Sequence, residues 1–157
     1  TLRAYVGDVL RSLAHHDVDG VVVVNGHGGN VDALREVCGR VTRDGDLYAV
    51  AYTWFDAVDP DEVGLSLGHG GPVETSLVCH LRPDLVREER YDEASQGAGE
   101  GFGDWVAGTN LAYDFEEFTE SGNVGDPTPA SAEAGQQLLE AAVDGCVDVL
   151  DAVAERT

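Results

Sequence analysis

The chain has 157 residues, enough for one domain with a sizeable core. Its 30 Asp and Glu outnumber 9 basic residues, all of them Arg, and the formal net charge is -21. Such a polyanion repels phosphates, which excludes nucleic acid and anionic membrane surfaces as partners, and no apolar run reaches the roughly 18 residues of a membrane span.

Residues 2–14 place Leu2, Val6, Val9, Leu10 and Leu13 at helical spacing and predict an amphipathic helix closed by His15-His16-Asp17. Val21–Val24 is a short β-branched run, the mark of a buried parallel strand. Asn25-Gly26-His27-Gly28-Gly29-Asn30 follows at once, and Val31, Leu34, Val37, Cys38 and Val41 predict a second helix that Asn30 would cap. Leu47–Tyr52 reads as a second strand. Alternation of this kind predicts an α/β fold, a parallel sheet with helices on both faces.

The middle is less regular. Trp54-Phe55-Asp56 leads into an Asp- and Pro-rich loop, and His69-Gly70-Gly71-Pro72 opens a helix over 73–81 that must stop before Pro83. Residues 92–130 are Gly-rich and carry Trp105, Tyr113, Phe115 and Phe118, which suggests a functional or interface loop. Ser131 opens a last long helix with one apolar face. Cys38, Cys79 and Cys146 form no CxxC pair and read as free thiols of a reducing cytoplasm. The scattered acids, with Lys and Ile both absent, read as adaptation to molar salt, where the screening length is about 3 Å.

Two constellations carry candidate chemistry. The first is the His27 turn, set where a parallel strand ends and ligands of open α/β sheets bind. It begins like a dinucleotide fingerprint but has Val31 where the third glycine belongs. The second is His69-Gly70-Gly71-Pro72-Val73-Glu74, with Glu74 in a first helical turn, where the helix dipole alone would favour a carboxylate. His27, His69 and Glu74 are the types a hydrolase uses: imidazole and carboxylate bind divalent metals, and histidine exchanges protons near neutral pH. Their spacing does not by itself establish that they converge.

These blocks carry a resemblance. Asn25–Asn30 matches the NGHGGN block of the creatininase family of metal-dependent amidohydrolases. His69–Leu85, HGGPVETSLVCHLRPDL, resembles that family's second block. Ser121-Gly122-Asn123-Val124-Gly125-Asp126-Pro127-Thr128 is similar to its C-terminal SGxxGDPxxA segment. The resemblance implies a three-layer α/β/α sandwich with a mostly parallel sheet, a single domain over 1–157, and a divalent metal (Zn, Mn or Fe), binuclear in the complete protein. It implies His27 as a metal ligand, Glu74 as a ligand or catalytic carboxylate, and His69 as a proton-transfer or substrate-polarising residue. Asn25, Gly28, Gly29 and Asn30 would shape the loop, and Trp54 would line the substrate pocket.

Family members open the creatinine ring, deformylate a pyrimidine nucleotide intermediate, or cleave the precursor peptide of mycofactocin. The implied activity is cleavage of a non-peptide C–N bond, a cyclic amide or formamide, on a small-molecule substrate. The alternatives are a mycofactocin-type precursor peptidase and a non-catalytic remnant or assembly subunit. Creatininase proper has a glutamate ligand two residues after the motif histidine; here Gly29 stands there, which points away from creatinine. The family's Glu-x-His pair and N-terminal Asp have no counterpart, so the chain reads as a domain missing its first part, with at most half of a binuclear site. A homo-oligomer in the cytoplasm is the expected assembly.

Overall fold

The computed structural model describes residues Thr1–Thr157. Five helices, α1 (Leu2–His15), α2 (Val31–Asp44), α3 (Pro72–Leu81), α4 (Tyr91–Gln96) and α5 (Ala132–Ala154), accompany four strands. The strands are β1 (Gly20–Asn25), β2 (Tyr48–Thr53), β3 (Trp105–Val106) and β4 (Thr109–Asn110). Residues Thr1–Val58 with Ala141–Thr157 make one compact unit, and Asp59–Glu140 make another. No helix is long and apolar enough to cross a membrane.

In the first unit, β1 and β2 pair in parallel, in register from Gly20 opposite Tyr48 to Asn25 opposite Thr53. The pairing follows from residue type. Valines fill β1, and neighbouring side chains must point to opposite faces. Val21, Val23 and Ala51 pack against a cluster of Leu10, Val37, Cys38, Val41, Leu47 and Ala49, which places α1 and α2 on one face. Helix α5 lies on the other. There the Tyr52 hydroxyl donates to the Ala142 carbonyl at 2.5 Å, and the Arg156 guanidinium sits 5.7 Å above the Tyr48 ring. A Cβ on Gly20 would come within 2.8 Å of Val153 Cγ1, so the glycine sets how close helix and strand approach. The expected α/β architecture, with helices on both faces of a parallel sheet, is present.

One helix boundary differs from the sequence reading. Asn30 does not cap α2 with its side chain; a short 3-10 turn over Gly28–Asn30 runs directly into the helix. Its amide donates instead to Asn25 Oδ1 at 3.4 Å. Ser131, in contrast, caps α5: its Oγ accepts from Ala134 N at 3.1 Å.

The second unit holds α3, α4, the β3–β4 hairpin and the first part of α5. Its centre is the contact of α3 with α5. Ser76, fully buried, donates to the Pro72 carbonyl at 2.6 Å and accepts from Ser131 N at 3.1 Å. A Cβ on Gly135 would fall 1.9 Å from the Ser76 carbonyl oxygen, so the crossing requires glycine. The hairpin pairs Trp105 with Asn110 through Ala107-Gly108, both at positive φ (48° and 79°). Strands of two residues are too short to show a period of two, which is why the segment reads as a loop in sequence.

Candidate metal and hydrolase site

The first motif lies at the carboxyl end of β1. Asn25, 2% exposed, organises it. Its Nδ2 donates to the His27 carbonyl at 2.9 Å and to Thr53 Oγ1 at 3.2 Å. Its Oδ1 accepts from His27 N at 3.2 Å. One buried amide thus holds both backbone polar groups of His27 and ties the loop to the end of β2. The His27 side chain is exposed, and its Nδ1 accepts from Gly29 N at 3.0 Å. Trp54 follows β2 in a 3-10 turn, half-buried, edge-to-face on Phe55 with ring centroids 5.7 Å apart.

The second motif lies where a loop enters α3. His69 is half-buried. Its backbone forms an antiparallel bridge with Val124: His69 N donates to the Val124 carbonyl at 3.0 Å, and Val124 N to the His69 carbonyl at 2.7 Å. Its ring rests on Phe115, centroids 4.9 Å apart, and Phe115 rests on Phe118 at 5.0 Å. Gly70 adopts φ 58°, a conformation that favours glycine, and its N–H donates to Glu74 Oε2 at 2.5 Å. Glu74 therefore sits in the first turn of α3 and closes the loop that carries His69. Gly71 and Gly68 exist for close approach, since a Cβ on either would meet the Val124 carbonyl oxygen within 2.8 Å.

The third motif works through its backbone. Val124 is the strand-like partner of both His69 and Gly99. Asn123 is buried, donates to the Gly125 carbonyl at 2.8 Å and accepts from the Ser121 hydroxyl. Asp126 accepts from Thr128 N at 3.0 Å and Thr128 Oγ1 at 2.7 Å, bonds that hold its carboxyl below the usual carboxylate range. It is a turn former, as its place before Pro127 suggests. The cysteines are all free thiols.

The structure thus brings His69 and Glu74 onto one loop-to-helix junction of the second unit, and His27, Asn25, Asn30 and Trp54 to the strand ends of the first. No group of three or more His, Cys, Asp or Glu side chains is placed to hold a metal ion. An open cavity of about 440 Å³ on the α5 side of β2 is lined by Tyr48, Val50, Thr53, Val153 and Arg156 among others, and by no motif histidine. Three contributors escape a reading of local pattern. Thr53 shows only through strand register, and Phe115 and Val124 act on His69 across a long stretch of chain.

The model of the creatininase family (creatinine amidohydrolase) matches residues 1–150. The chain belongs to the creatininase family. Members of this family are hydrolases acting on C–N bonds. The chain is 33% identical over 127 residues to the mycofactocin precursor peptide peptidase of Mycobacterium tuberculosis, covering 81% of this chain and 46% of that one. It is 30% identical over 168 residues to the creatinine amidohydrolase of Pseudomonas putida, covering 96% and 62%. A crystal structure described as a creatinine amidohydrolase of Bacteroides fragilis superposes with TM-score 0.76 at 25% identity, over 98% of this chain and 61% of that one. A creatininase variant described as Zn–Zn type superposes with TM-score 0.72 at 28% identity, over 95% and 62%. The chain spans about half the length of the mycofactocin peptidases it matches. Creatininase-fold neighbours of this likeness place the parallel sheet and its helical layers in the family's α/β fold.

Proposed function

We propose that this protein is a divalent-metal-dependent amidohydrolase that cleaves a non-peptide C–N bond of a small cyclic amide or formamide. The observation that carries the reading is the His27 turn, pinned by buried Asn25 at the carboxyl end of a parallel strand, in a chain of this family.

Imidazole and carboxylate are donor types that Zn²⁺ and Mn²⁺ accept. A zinc site takes three or four protein ligands, and no three such side chains of this chain converge. His27 supplies one such donor and Glu74 another, and neither is by itself a complete site. The Zn–Zn and Mn descriptions of two structural neighbours favour these metals and a binuclear site over iron. Such an ion, when bound, supplies Lewis acidity toward water and an amide carbonyl.

The chain's own residues do the rest. Asn25 holds the loop, Gly28, Gly29 and Asn30 shape it, and Trp54 lines the substrate pocket. Glu74, anchored on Gly70 N–H, keeps its carboxylate aimed from the start of α3. His69, fixed by its backbone bridge and in tilted ring contact with Phe115, passes a proton to the leaving nitrogen. Residues 1–157 belong to one creatininase-like domain. The exposed Phe102, Trp105, Val106, Leu111 and Tyr113 favour a homo-oligomer joined through this apolar region, and the acidic composition favours a salt-rich cytoplasm.

A second reading, a mycofactocin-type precursor peptidase, is favoured by the 33% identity to the mycobacterial enzyme. The test is a panel of creatinine, a formamidopyrimidine and a C-terminal precursor peptide, assayed with Zn²⁺ or Mn²⁺ in molar KCl. Hydrolysis of the formamide, abolished by chelator and by His69→Ala, is expected. Peptide cleavage alone selects the second reading, and turnover that survives the chelator contradicts both.

A further inference from the structure

The cavity of about 440 Å³ beside β2 has no part in the proposed hydrolysis, since none of its lining residues belongs to the three motifs. It lies within the first unit, between β2 and the last turns of α5. Its volume falls in the range of small-molecule sites, about 300–1,000 Å³. Side chains alternate along a strand, so Tyr48, Val50 and Tyr52 share one face of β2. Val149 and Val153, one helical turn apart on α5, supply the facing wall. An apolar body that enters here leaves water for aliphatic and aromatic surface.

Arg156 gives this cavity its charge. Six of the 9 arginines pair with acids, and Arg156 pairs with none. Its guanidinium lies over the Tyr48 ring, 5.7 Å from the centroid, and Nη1 donates to Tyr48 Oη at 3.3 Å. Ring and hydroxyl thus hold the planar group at the cavity, while Nε and Nη2 donate to no protein acceptor. The one carboxylate on the wall, Asp56, is paired with Arg35 at 3.4 Å. In a chain of net charge -21, this is a cation that no internal acid neutralises, set beside apolar walls. A guanidinium fork matches a carboxylate in shape and charge.

We propose that this cavity is a binding site for a small carboxylate with an apolar body, an aromatic or branched acid. Its carboxylate pairs with Arg156, and its body lies between Val50 of β2 and Val149 and Val153 of α5. The site is separate from the motif histidines and stands whether or not they hold a metal. Both parts of the ligand are required. Arg156 is exposed, so charge alone binds weakly in salt, and the apolar body supplies most of the affinity.

The test titrates the full chain with three probes: phenylacetate, acetate and the neutral phenethyl alcohol. Binding is followed on the methyl resonances of Val50, Val149 and Val153. KCl is kept at the lowest level at which circular dichroism shows a folded chain, because salt screens exposed charge. Phenylacetate is expected to shift these methyls saturably, with a midpoint roughly tenfold or more below that of acetate. It should also bind roughly threefold to tenfold more tightly than phenethyl alcohol. Arg156→Gln should remove the preference for the acid over the alcohol and leave binding of the alcohol unchanged. Ala152→Trp, which fills the cavity from α5, should weaken both aromatic probes. Absence of a saturable shift at these valines in the wild type overturns the proposal. Equal midpoints for acid and alcohol overturn it too, as does a preference for the acid that survives Arg156→Gln.

Discussion

Asn25 is the residue on which the first motif depends. Its amide bonds to His27 N, the His27 carbonyl and Thr53 Oγ1, and it is almost fully buried. Replacing it with Ala leaves those groups without their partner, at a cost of about 1–3 kcal/mol. Urea unfolding of Asn25→Ala should show a lower midpoint at an unchanged slope; an unchanged midpoint means the loop is held by something else. Asp126 offers a pH signature. Thr128 bonds depress its carboxyl, so its contribution is complete above the ordinary carboxylate range and is lost as pH falls through its lower folded value. The stability gap between wild type and Asp126→Asn should therefore be widest above the ordinary carboxylate range and shrink as pH falls below it. A gap that grows on acidification contradicts the assignment.

Between elements, the crossing of α3 and α5 is the most demanding contact. Ala is normally the better helix former, by up to about 1 kcal/mol over Gly. At Gly135 the order should reverse, because the added Cβ would fall on the Ser76 carbonyl oxygen. Thermal unfolding of Gly135→Ala should show a loss of about 1–3 kcal/mol, the ordinary cost of forcing atoms into a packed contact, and a stabilised variant would mean that the helices do not cross here. The elements themselves divide by how local their cause is. Val21–Val24, the apolar stripe of α2 and the Pro72–Pro83 limits of α3 are legible because each is written in a few consecutive residues. The motif turns are legible for the same reason. The bridge of His69 to Val124 and the ring contact of Phe115 with His69 join residues far apart in the chain, and no local period encodes them. The hairpin at Trp105–Asn110 is hidden by its length, two residues a side. Asn30 shows the limit of residue-type rules: a good capping residue is drawn to the Asn25 carboxamide instead.

At the scale of the whole molecule, charge dominates. Six of the 9 Arg residues form exposed ion pairs, and the 30 acids far exceed them. Exposed pairs of this kind contribute little each, while uncompensated acids repel one another. Raising KCl to molar levels shortens the screening length to about 3 Å and should raise the melting temperature markedly. A melting temperature independent of salt would contradict adaptation to high salt. The proposed function turns on a divalent metal. The most direct test is the metal retained per chain after dialysis against Zn²⁺ or Mn²⁺ in molar KCl, measured for the wild type and for His27→Ala. Greater retention by the wild type is the expected result; equal retention by His27→Ala contradicts the place of His27 in the metal site.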